Sequence, residues 1–144
     1  MKTKYSPLVQ VKKNSMQKSE RVLQSANAKL YRLQDELASS IVALESIVTP
    51  SSGKISEFLS SKTLLESQRL LIQQKEALVF SVKQEITQAK TQLKFDMIEY
   101  EKFNYLDLQE LKEFEARQKR EAAKELDEVA LLIYSKTATN KENI

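Results

Sequence analysis

The stretch Thr49-Pro50-Ser51-Ser52-Gly53 decides the fold. It holds the single glycine and one of the two prolines in a chain of 144 residues. The other proline is Pro7, and from Lys54 onward there is neither Gly nor Pro. These two residue types are the strongest punctuation a helix meets. The chain therefore reads as one long helix, one corner and a longer helix. The expected fold is all-α: a long antiparallel two-helix coiled-coil hairpin, forming a single domain over residues 1–144. Such a shape suits a rod, stalk or adaptor better than a catalyst, which needs a pocket.

Before the corner, the pattern predicts a helix over residues 7–48. Ser6 is a good N-cap, and Pro7 is tolerated at the first helical position. Val9, Met16, Leu23, Leu30, Leu37 and Leu44 recur every seven residues, with Ala26, Leu33 and Ile47 at intermediate positions. Lys12, Ser19 and Ser40 fall in the same series and weaken the seam. Pro50 ends the helix by disfavouring helical geometry at Thr49. At 1.5 Å per residue this helix would be about 63 Å long.

After the turn at 49–53, Ile55, Phe58 and Leu59 allow a short helix at the tip over 54–60. Ser60-Ser61 then offers a fresh cap for a long helix over 62–134. Leu65, Ile72, Val79, Ile86 and Leu93 keep heptad spacing, supported by Val82 and Ala89 but not by Gln68 and Lys75. Near residues 96–108 the apolar series shifts to Met97, Tyr100, Asn104, Leu108 and Leu111, which predicts a stutter that locally unwinds the supercoil. The polar tail 135–144 is expected to be disordered.

Pairing outward from the corner places Val48 opposite about Thr63 and Val9 opposite about Lys102, and leaves about thirty residues of the second helix without an intramolecular partner. The alternative is a more elaborate tip over 55–90 with both chain ends fully paired. The sequence leaves both open.

Composition narrows the chemistry. Charged residues are 30% of the chain and aromatics 7%, a profile that fits coiled coils. Cys and His are both absent. That removes thiol chemistry, the usual general base and the usual zinc ligands. One glycine leaves no Gly-rich phosphate loop. No catalytic, cofactor-binding or metal residues are therefore expected. The abundant carboxylates read as a solvated helix face. No apolar run approaches the length of a membrane span. The basic start lacks a following apolar run, so no secretory signal is expected and a cytoplasmic address is the default.

Charge is uneven. Residues 1–32 carry eight Lys/Arg against the single acid Glu20, whereas the remainder is net acidic. The basic start either faces the acidic stretch Glu99–Glu128 within the hairpin, the favoured reading, or binds an anionic partner such as nucleic acid. Phe95, Tyr100, Phe103, Tyr105 and Phe114 form an aromatic cluster that reads as seam or as binding patch, with the seam favoured. Arg117-Gln118-Lys119-Arg120 pairs with neighbouring glutamates or touches an anionic partner. Leu64, Leu65, Leu70, Leu71 and Ile72 are too many for a two-helix seam, so one apolar row points away and marks a third element or a protein partner.

These residues resemble the FliJ family of flagellar type III export proteins over most of the chain. The resemblance rests on Tyr5-x-Pro7-Leu8 with Val11-Lys12-Lys13, the heptad helix with one corner, and the ending Lys124-Glu125-Leu126-Asp127-Glu128-Val129-Ala130. It implies a non-enzymatic stalk similar to that of rotary ATPases, docking in the pore of the hexameric export ATPase. It also implies contact with the cytoplasmic domain of the export-gate membrane protein, and escort of export chaperones. The address implied is cytoplasmic, peripheral to the membrane through partners, with no nucleic acid expected. By resemblance the ATPase contact corresponds to Lys12, Lys13 and Arg21 with Arg117, Lys119, Arg120, Lys124, Asp127 and Glu128. The gate contact corresponds to Leu64, Gln68, Leu71 and Lys75. A stalk of a virulence-type secretion system shares this architecture, and a generic coiled-coil scaffold or homodimer is the remaining alternative.

Overall fold

The computed structural model describes residues 2–142 of the chain. Among them are two helices and no strand: α1, Ser6–Glu45, and α2, Ile55–Glu142. The helices pack against each other as a hairpin, and α1 residues pair with α2 residues in antiparallel order.

Local chemistry sets the ends of α1. Thr3, rather than Ser6, acts as its cap. The Thr3 hydroxyl accepts the Tyr5 N–H at 3.1 Å, and the Ser6 hydroxyl accepts the Thr3 N–H at 3.0 Å. This is a reciprocal capping box, with Ser6 in the place usually taken by Glu. Pro7 follows in the first turn, where a missing N–H costs little. At the other end α1 stops at Glu45, a few residues before the expected Val48. The Ser46 hydroxyl donates to the Ala43 carbonyl at 2.8 Å, and Ile47 N–H reaches back only to Leu44, at 3.2 Å. The last turn thus tightens ahead of Pro50.

Gly53 makes the corner, with φ at 142°. A Cβ there would sit 2.3 Å from a carboxylate oxygen of Glu57, in the first turn of α2. The Glu57 carboxylate could swing aside for a side chain, but the backbone angle strains any residue other than glycine at this position.

Two expectations about α2 are corrected. It has no separate tip helix over 54–60, because Ser60 does not cap a new helix. Its hydroxyl donates instead to the Ser56 carbonyl at 2.9 Å, inside a continuous helix. The tail is also helical as far as Glu142, not disordered from residue 135. Thr137 and Thr139 donate to the carbonyls of Ile133 and Ser135, both at 2.9 Å, and no Gly or Pro interrupts the helix. The expected tail residues 143 and 144 lie outside the described residues.

By packing, the described residues form two compact units. The first is Lys13–Ile98. Its core is Ala26, Leu33, Val79, Val82 and Ile86, flanked by Leu23, Leu30 and Leu37. Only Val82 is almost fully buried, at 1% exposure. A seam between two helices is too narrow to enclose more, and these are the heptad positions read from the sequence.

The polar interruptions of this seam meet one another across it. The Ser19 hydroxyl donates to the Asp96 carboxylate. Gln68 Nε2 donates to the Ser40 carbonyl at 3.0 Å, and Lys75 Nζ to the Ser40 hydroxyl at 2.8 Å. Lys29 pairs with Glu85 at 3.7 Å.

The second unit joins the start of the chain, up to Lys12, with α2 from Glu99 onward. Thr3 and Ser6 both donate hydroxyl hydrogens to the Asp107 carboxylate. Lys12 Nζ lies 3.4 Å from Glu99 Oε2 and 5.5 Å from the centre of the Phe103 ring. Lys12 and Glu99 lie one turn from Val9 and Lys102 respectively, so the simple register is the one adopted. The stretch of α2 beyond α1 follows from that register, and every described residue from Glu115 to Lys141 is exposed.

The predicted shift of the seam is met only in part. Met97 and Leu108 are exposed, at 41% and 49%. Tyr100, Asn104 and Leu111 of that series are half-buried, and so are Asp96, Phe103, Asp107, Glu110 and Phe114, which with Tyr100 continue the heptad of Leu65. Apolarity alone misled the reading, because Asp96 and Asp107 hold seam positions by accepting hydroxyls from α1.

Val82→Ala should lower unfolding stability by about 2 kcal/mol through lost burial and a residual cavity. Ser19→Ala should cost about 1 kcal/mol by leaving Asp96 without its cross-helix donor. Urea unfolding followed by circular dichroism checks both, and an unchanged midpoint for either variant contradicts its assigned contact.

Candidate interaction surfaces

The residues assigned to the export gate divide between two environments. Gln68 and Lys75 are seam residues, held by Ser40 as described above. Leu64 and Leu71 each lie one position before a seam residue, Leu65 and Ile72 respectively, and are exposed, at 54% and 40%. Leu78 continues their row and is also exposed, at 51%. The sequence reading did not include Leu78, although the seven-residue spacing from Leu71 points to it. Leu65 and Ile72 face α1, so the apolar surplus of this segment does split into an inward and an outward row.

The residues assigned to the ATPase divide in the same manner. Lys12 is half-buried and engaged with Glu99 and Phe103, so the basic start and the acidic stretch do meet within the hairpin at this pair. In the unit Lys13–Ile98, Lys13 and Arg21 are exposed. Arg21 shares a groove with Lys18 and Lys29 on α1 and with Gln88 and Gln92 on α2.

In the second unit, Arg117, Lys119, Arg120, Lys124, Asp127 and Glu128 are all exposed along α2. Arg117, Arg120, Lys124 and Asp127 share one face with Glu121. Glu128 lies on another face with Leu131 and Leu132. Among the described residues, none of the cations of Arg117–Arg120 makes an ion pair. Arg120 Nε instead donates to the Ala116 carbonyl at 3.4 Å. Their charge is thus carried on the open surface. Beside them Leu126 is 71% exposed, and Val129, Leu132 and Ile133 are more than half exposed.

The aromatic cluster also splits. Tyr100, Phe103 and Phe114 are half-buried seam residues, whereas Phe95 and Tyr105 are exposed at 57% and 61%. Exposure of the latter two had no distinct sequence signal beyond their heptad position.

Among the described residues no cluster of acidic side chains is arranged to hold a metal ion. None of their helices is long and apolar enough to cross a membrane. The chemistry these surfaces offer is recognition: apolar rows for helices or hydrophobic clefts, and charged rows for a surface of opposite sign.

A two-helix hairpin bearing such rows defines a coiled-coil interaction protein. The family model described as Flagellar FliJ protein matches residues 1–139, and the chain belongs to that family. It is thus a flagellar export-related protein, as the opening and closing motifs had implied. No curated protein and no solved structure matches the chain.

The division between seam and surface has a direct check. Gln68→Ala and Lys75→Ala should each lower the thermal midpoint, because the first removes the cross-helix donor to the Ser40 carbonyl and the second the donor to its hydroxyl, each at a cost of about 1 kcal/mol. Leu64→Ala and Leu71→Ala, on the open row, should move stability by less than about 0.5 kcal/mol. Calorimetry or a circular-dichroism melt reads the difference, and the reverse order would contradict the orientation described.

Proposed function

We propose that this protein is a non-enzymatic stalk and adaptor of the flagellar export apparatus. In this reading it docks in the ring of the hexameric export ATPase and couples that ring to the export gate and to substrate chaperones. The observation that carries the proposal is the unpartnered end of α2. From Glu115 to Lys141 a helix with cations, acids and an apolar row is open to solvent throughout its described length. A helix with such a face gains stability when the face is covered.

Arg117, Lys119, Arg120, Lys124, Asp127 and Glu128 would steer it toward a ring of complementary charge, and Leu126 and Val129 would supply the buried contact. Lys13 and Arg21 would add further charge, whereas Lys12 would act through its hold on Glu99. On the gate side, Leu64 and Leu71 with Leu78 form the apolar contact. Gln68 and Lys75 would keep that row in place from the seam. The protein would work at the inner face of the membrane through its partners, in the cytoplasm. The family match favours flagellar export over a virulence-type secretion system or a generic scaffold.

Co-purification with the export ATPase, together with ATP turnover, tests this reading. Wild-type protein should bind the ATPase and raise its turnover or its hexamer fraction. Leu126→Asp should reduce that effect about tenfold or more while helicity is kept, since a buried apolar anchor is replaced by a charge. Absence of binding by the wild-type protein, or full stimulation by the variant, would count against ring docking. For the gate, Leu71→Asp should weaken capture by the isolated gate domain without affecting ATPase stimulation.

A further inference from the structure

Two surfaces left open by the hairpin match each other in charge, apolar pattern and length. The first is a groove of about 720 Å³ in the unit Lys13–Ile98. Its floor is Ala26 and Ala89, the small buried residues of the seam, with Val22 beside them. Small side chains there leave room for another helix to approach closely. Lys18, Arg21 and Lys29 form the α1 rim.

The opposite rim offers Gln88, Gln92 and Glu85, and Glu85 is engaged by Lys29. An adjoining hollow that reaches Ser15 shares Lys18, Val22, Ala89 and Gln92, and it lengthens the groove. From Ser15 to Lys29 the groove follows about 21 Å of helix. Asp96, at its end, already accepts hydrogen bonds from Ser19 and Gln92. Lys18 and Arg21 make no ion pair among the described residues, so the groove has positive charge to spare.

The second surface is the exposed α2 stretch over residues 121–134. Ala122, Leu126, Val129 and Ile133 form one apolar stripe at helical spacing. Glu121, Glu125 and Glu128 run alongside it, one position earlier at each turn. All are exposed, and the stripe is about 17 Å long.

We propose that this stripe of one molecule lies in the Ala26–Ala89 groove of a second copy. Leu126 and Val129 then pack on Val22 and the two alanines, and Glu121, Glu125 and Glu128 face Lys18, Arg21 and Lys29. The contact is heterologous: each molecule offers a groove to one neighbour and a stripe to another. It requires no component of the export machinery. The stripe includes Leu126, so a ring that captures this stretch and a second copy compete for it.

Sedimentation of the pure full-length protein tests the contact. At about 50 mM salt the weight-average mass should rise with concentration, and at about 500 mM it should fall toward that of one chain, as screening removes the charge term. Lys18→Glu with Arg21→Glu should weaken association about tenfold, and Glu125→Lys with Glu128→Lys should do the same.

Mixing the two charge-reversed proteins should restore association, because the acidic groove of one then meets the basic stripe of the other. A merely structural effect of either variant does not produce that rescue. Leu126→Asp should also remain a single chain. A one-chain mass for wild type at every concentration and salt would overturn the proposal. So would association that survives both reversals, or a mixture of the reversed proteins that stays apart.

Discussion

The structure depends on one seam. Two helices can hide only the residues that face each other, so nearly all apolar stabilisation comes from single rows at heptad spacing. Leu23, Ala26, Leu30, Leu33 and Leu37 supply one side in the larger unit, and Val79, Val82 and Ile86 supply the other. A seam this thin would slide easily if it were uniformly apolar. Its polar positions prevent that. Ser19 needs Asp96, Ser40 takes Gln68 and Lys75, and in the second unit Asp107 takes Thr3 and Ser6. Displacing either helix by one heptad would separate these partners and leave buried polar groups unsatisfied. The cost falls on the wrong registers, which is the best-attested use of a polar residue inside a coiled coil.

Most of the fold was legible because helices are punctuated by few residue types. Pro50 and Gly53 located the corner, and the heptads located the core down to Val82 and Ala89. The errors share a cause. Ser60, Thr137 and Thr139 read as caps or as polar tail, yet their hydroxyls return to carbonyls four residues back and leave the helix intact. Asp96 and Asp107 drew no notice as seam residues because their partners lie far away in sequence. A pattern search along one helix does not see a hydroxyl on the other.

The surfaces were legible only in part for the same reason. An outward apolar row was expected, and Leu64 and Leu71 lie on it, but Lys75 and Gln68 looked equally available until Ser40 was brought beside them. Lys12 is similar: its charge counted toward a basic start, and in the fold it is drawn to Glu99 and the face of Phe103. Sequence motifs identified the family, and the structure separates the residues that build the hairpin from those left to meet other molecules. The latter are concentrated on the outward leucines after the corner, the cations beside Arg21 and the open end of α2.

The spaced polar contacts also bear on how the limbs come apart. Each is bounded by apolar layers, so one can rupture while its neighbours hold. Pulling or thermal opening from a free end would therefore advance in discrete steps, pausing wherever a hydroxyl and a carboxylate must be separated. A fastener of this kind yields gradually under load and recloses in the same alignment.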